Sequence, residues 1–68
     1  MTNKEKIIRA AKVDDLKGIY ELIDQGIDPF AMDINGKTAI SYVFITLDSA
    51  QMKKLSKKIA HYLYIRHK

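Results

Sequence analysis

With 68 residues and no cysteine, the chain has room for one small domain, with no disulfide or thiolate metal site to staple it. A domain of this size buries only about 60% of the surface its unfolded chain exposes, so a homodimer contact or a larger complex is expected to complete it. The net charge of +4 is uneven: through Asp33 five basic residues stand against seven acidic ones, and beyond it seven basic residues stand against Asp48 alone. Such asymmetry speaks to partners and not to fold.

Thr2 and Glu5 have the spacing of a capping box. The helix they open places Ile7, Ile8, Ala10 and Ala11 on and beside one face, with alanines small enough to admit a second helix. Val13-Asp14-Asp15 interrupts it, and Asp14 or Asp15 can cap the next helix. That helix carries Leu16, Ile19, Leu22 and Ile23 as an apolar stripe, and Gly26 suits a left-handed C-terminal residue. Asp28-Pro29 then demands an extended or turn conformation.

Asn35-Gly36 is a tight-turn signal, because both residues tolerate positive φ. Thr38 can cap a third helix running to about Leu47, with Ile40, Val43, Phe44 and Leu47 as its stripe. Asp48 or Ser49 restarts the chain. From Ala50 to about Arg66 there is no Gly or Pro, so one long fourth helix is expected, burying Met52, Leu55, Ile59, Tyr62 and Leu63.

No long apolar run follows the N-terminal residues. The longest apolar stretch, about residues 39–47, is broken by Ser41 and Thr46 and falls far short of the roughly 20 residues a membrane span needs. A soluble protein with no membrane partner is expected, in the cytoplasm of the producing cell or of a host cell.

Shifting the chain by about 33 residues sets Ile7 on Ile40, Ala10 on Val43, Ala11 on Phe44, Ile19 on Met52 and Leu22 on Leu55. Ala10-Ala11, Asp15-Leu16, Ile19, Leu22-Ile23, Gly26, Asp28-Pro29 and Ala31 look like the second half of one repeat, and Asp33, Gly36, Thr38 and Ile40 like the opening of the next. On these residues the chain resembles the ankyrin repeat family. The resemblance implies an all-α, short ankyrin-like array of two helix-turn-helix units joined by a projecting β-turn, the first over 1–32 and the second, a capping unit, over 33–68. It departs from the family where Ala39, Ile40 and Ser41 replace the usual Pro, Leu and His after the Thr. It departs again where Val43 and Phe44 replace small residues, Ser56 a Leu, and Ile59 a helix-stopping Gly. An atypical terminal unit is what repeat physics requires.

Nothing in the sequence assembles chemistry. His61 and His67 lie six apart and do not share a helix face. The serines lack the glycines of a nucleophile elbow, and the three glycines are too scattered to cradle phosphate. A chain this short is not expected to enclose a ligand cleft of roughly 300 Å³. A non-enzymatic protein without cofactor or metal is therefore expected.

The resemblance implies a protein-binding adaptor or inhibitor. Its contact residues would be Met32, Ile34, Asn35, Lys37, Ser41, Tyr42 and Ile45 from the turn and third helix, with Arg9 and Lys12 from the first. Tyr42 and Ile45 can alternatively pack under the last helix, and Met32 can plug the core. The alternative is a basic helix face of Lys53, Lys54, Lys57 and Lys58 with Tyr64, suited to nucleic acid or an acidic surface, though the same lysines can simply keep a helix face solvated.

Overall fold

The computed structural model describes residues 2–66; Met1, His67 and Lys68 lie outside the described residues, and with His67 the expected relation of the two histidines. The fold is all-α. Helices α1 (Asn3–Lys12), α2 (Leu16–Asp24), α3 (Ala39–Val43) and α4 (Ser49–Arg66) are accompanied by one 3₁₀ turn, Phe44–Thr46. The smallest dimension, 19 Å, is that of two helix layers.

Each helix starts where a side chain can satisfy its free amides. Thr2 and Glu5 form the capping box of α1. Asp15 caps α2 by accepting from the Gly18 amide at 3.1 Å. Asp48 caps α4 by accepting from the Gln51 amide at 2.8 Å, and the Gln51 side chain accepts from the Asp48 amide in return. Asp15 and Asp48 stand 33 residues apart.

The α1–α2 corner is closed by a Schellman arrangement. The Asp15 amide donates to the Ala10 carbonyl and the Asp14 amide to the Ala11 carbonyl. Asp14 fills the left-handed position at φ 57°, so Asp15 ends one helix and caps the next. The end of α2 repeats the device with Gly26 at φ 90° and the Ile27 amide on the Leu22 carbonyl.

α1 packs against both α2 and α3, and α2 against α4. Ile7 and Ala11, one turn apart on α1, are fully buried, as are Ala39 and Val43, one turn apart on α3. Ile19 and Ile23 of α2 are buried with Leu55 and Tyr62 of α4, and Ile8 and Ile27 complete the core cluster. Each buried isoleucine or leucine contributes roughly 1.5–3 kcal/mol relative to an exposed one.

Three expectations need correction. The third helix does not run to Leu47: it lasts five residues and tightens into the 3₁₀ turn, where Thr46 Oγ1 lies 2.8 Å from the Val43 carbonyl and 3.2 Å from Asp14 Oδ1. Its buried pair is Ala39 and Val43, not Ile40, Val43 and Phe44. The tightened turn swings Phe44 outward to 54% exposure. On α4 the buried positions are Leu55 and Tyr62, with Met52 and Ile59 half-buried and Leu63 exposed, because a single neighbouring helix covers only a narrow stripe of α4.

Candidate functional site: a groove between the first helix and the turn

The segment between α2 and α3 forms a finger at Asp33–Gly36. Its tip residue Ile34 is 99% exposed. The Gly36 amide donates to the Asp33 carbonyl and the Asp33 amide to the Lys37 carbonyl, at 3.0 and 2.8 Å. Gly36 supplies the left-handed residue at φ 74°, whereas Asp14 is the sole non-glycine residue with positive φ among the described residues; Asn35 does not share that role.

Asp33 anchors the finger from behind. Its Oδ1 accepts from the Asn35 and Lys37 amides, both at 2.9 Å, and its Oδ2 accepts from the Tyr42 hydroxyl. The phenol and then the Lys37 amide hold the Asp33 carboxyl below the ordinary carboxylate range. The same hydrogen bond, followed by desolvation, raises the Tyr42 phenol above its ordinary range. Lys12 Nζ of α1 and Lys37 Nζ lie 5.5 and 5.6 Å from the Tyr42 ring centroid, within cation–π reach.

Between this finger and α1 runs a groove of about 600 Å³, lined by Lys4, Glu5, Ile8, Arg9 and Lys12 on the helix and by Asp33, Ile34 and Asn35 on the finger. The finger stands off the helix as its second wall, and the groove is open to solvent rather than enclosed. Four of the expected contact residues meet here: Arg9, Lys12, Ile34 and Asn35. Lys37 and Tyr42 adjoin them.

The other expected contact residues are placed differently. Tyr42 is half-buried and faces the finger and Lys12, not α4. Ser41 Oγ accepts from the Thr38 amide at 2.9 Å and so completes the cap of α3. Met32 is 61% exposed, which excludes a core plug, and Ile45 is 84% exposed; neither lines the groove. Lys4, Glu5, Ile8 and Asp33 went unnoticed as groove residues. Lys4, Ile8 and Lys12 recur at i, i+4 and i+8, one row of a helix, so periodicity carried that signal.

The basic helix is not one continuous lysine track. Lys58 Nζ pairs with Asp24 Oδ2 at 2.6 Å, and Lys54 Nζ lies 5.3 Å from the Tyr20 ring centroid, so both tie α4 to α2. Lys53, Lys57 and Tyr64 lie exposed. Among the described residues, no three His, Cys, Asp or Glu side chains gather as a metal site, and no helix is long and apolar enough to cross a membrane. Comparison with known proteins returned no matching family model, curated protein or solved structure.

Proposed function

We propose that this chain is a small ankyrin-like module, cytoplasmic and without catalysis, that binds another protein as an adaptor or inhibitor. It grips through the groove between α1 and the Asp33–Gly36 finger. The observation that carries this reading is a fixed finger with an unsupported apolar tip: Asp33 is tied to two amides and Tyr42, while Ile34 meets nothing in its own chain. At 99% exposure Ile34 contributes no burial to the core, and held beside a concave surface it is placed to serve as an apolar anchor for a partner. The ankyrin-like reading is supported by α1 packing on α2 and α3 and α2 on α4, by caps 33 residues apart and by a turn projecting ahead of a Thr-capped helix.

The engagement of Lys54 and Lys58 with α2 favours this reading over nucleic-acid binding by α4. The test is affinity capture from cells that make the protein, followed by titration calorimetry with the recovered partner. Ile34→Asp should weaken binding at least tenfold, about 1.4 kcal/mol, and a Lys53→Glu, Lys57→Glu double variant should leave it unchanged. The opposite pattern assigns binding to α4 instead.

A further inference from the structure

We infer that the groove takes an acidic polypeptide segment carrying an aliphatic side chain among its carboxylates. This rests on the docking reading above and names the chemistry of the partner. Four cations border the groove and its anchor: Lys4, Arg9 and Lys12 from α1, and Lys37 from the finger. Among the described residues the one ion pair is Lys58 with Asp24, on the far layer; none of these four makes such a contact, Lys12 acts on Asp33 only through space, and the four cations outnumber the two carboxylates of the groove, Glu5 and Asp33.

The two carboxylates at the groove already accept hydrogen bonds from their own chain. Glu5 accepts from the Thr2 hydroxyl at 3.0 Å in the capping box of α1. Asp33 has both oxygens occupied by amides and by Tyr42. An incoming chain therefore meets more cations than anions, with Lys4 and Arg9 exposed on α1, Lys12 and Lys37 over the Tyr42 ring, and the carboxylates already sharing hydrogen bonds with their own chain. Such an arrangement selects acidic partners and repels basic ones.

The apolar part of the recognition is equally placed. Ile34 stands over one side of the groove, and Ile8, buried at its floor, presents an edge to it. A carboxylate-only ligand would leave this surface wet, so an aliphatic side chain between the acids fits both elements. Single-stranded nucleic acid fits less well. Strand binders stack bases on open aromatic faces, and the Tyr42 ring beside the groove is overlain by Lys12 and Lys37.

A random peptide display library selected on the intact protein, with Ile34→Asp as counter-selection, tests this. The expected result is enrichment of sequences rich in Asp and Glu with interspersed Leu, Ile or Val. The best such peptide should lose roughly tenfold or more in affinity to a Lys4→Glu, Lys12→Gln variant and weaken as salt rises. Circular dichroism of that variant should show the wild-type helix content, since both side chains are exposed. Enrichment of neutral or basic peptides that still depend on Ile34 overturns the acidic inference and leaves the docking reading standing. Absence of any Ile34-dependent peptide overturns both. Tighter Lys4- and Lys12-dependent binding of mixed-sequence single-stranded DNA than of the best peptide overturns the inference in favour of phosphate.

Discussion

Helices α2 and α4 begin alike and are buried differently. α2 and α4 are capped by aspartates 33 residues apart, each accepting from the amide three residues on. Yet in α2 the fourth and eighth residues after the cap, Ile19 and Ile23, are buried, whereas their counterparts in α4, Met52 and Ser56, are half-buried and exposed. A cap acts within one turn, so it repeats wherever its residues repeat. Burial depends on what stands alongside. α2 has α1 on one flank and α4 on another, while α4 has α2 alone as its principal neighbour.

Core truncations are the largest way to test that contrast. Ile19→Ala should cost about 2–5 kcal/mol, and Met52→Ala, at the equivalent position, about 1 kcal/mol or less. For a chain of this length the whole stability is on the order of 3–10 kcal/mol, so Ile19→Ala should remove a large fraction of it and shift the unfolding midpoint strongly to lower urea. Urea titration followed by circular dichroism reads both. Equal losses at the two positions would show that neighbours do not set the difference.

The caps should behave in the opposite way, with matched losses. Asp15→Ala and Asp48→Ala should each lower stability by about 1 kcal/mol, because each removes one acceptor from one helix start. Gly36→Ala should fall in the same range, roughly 1–2 kcal/mol. An added Cβ there meets nothing within 4 Å, so the cost comes from the φ of 74° alone. A much larger loss at Gly36 would mean that the finger is packed more tightly than its exposure indicates.

This division between local and neighbour-dependent effects also explains what could be read from the chain in advance. The Thr2 and Thr38 starts, the Gly26 stop and the turn at Gly36 are short-range features and were legible, while the starts at Asp15 and Asp48 were legible to within one residue, with Asp14 and Ser49 as the alternatives. The face that α3 buries was not, because Ala39 carries no apolar bulk to announce it. Its small side chain instead lies fully buried in the core cluster that α1 and α3 share. The early end of α3 was hidden for a related reason. Phe44, Ile45 and Leu47 continue the apolar run, but no second element covers Phe44 or Ile45. The groove was half legible: the exposed tip Ile34 was visible, and the role of Asp33 as its anchor was not, since the bond to Tyr42 spans nine residues.

A smaller effect is expected at the seam between the outer helices. Lys58 and Asp24 are partly exposed, at 30% and 48% of their side-chain surface, so their 2.6 Å pair is screened by solvent. Lys58→Ala should cost only about 0.2–1 kcal/mol, and the difference from wild type should shrink as salt is added. Lys57→Ala, one residue away and on the exposed side, should change nothing measurable. A loss above roughly 2 kcal/mol at Lys58 would mean that the pair is far drier than its exposure indicates.

The faintest effect at neutral pH belongs to the Asp33–Tyr42 bond, whose signature lies at the extremes. The Asp33 carboxyl is held low in the folded state, chiefly by the Tyr42 hydroxyl, so its contribution is complete above the ordinary carboxylate value near pH 4 and is lost as pH falls through the lowered one. The Tyr42 phenol is held high, chiefly by Asp33, so its contribution is complete below the ordinary phenol value near pH 10 and is lost as pH rises through the raised one. Between about pH 5 and pH 9 neither group changes protonation, and the pair should add no slope to stability. Ultraviolet absorbance titration in a Tyr20→Phe background isolates the effect, because Tyr20 is also raised, chiefly by burial. Adding Asp33→Asn should move the late phenol ionisation to lower pH. An unchanged titration would show that the hydroxyl is not held by that carboxylate, and the finger would lose the tether that fixes Ile34 at its tip.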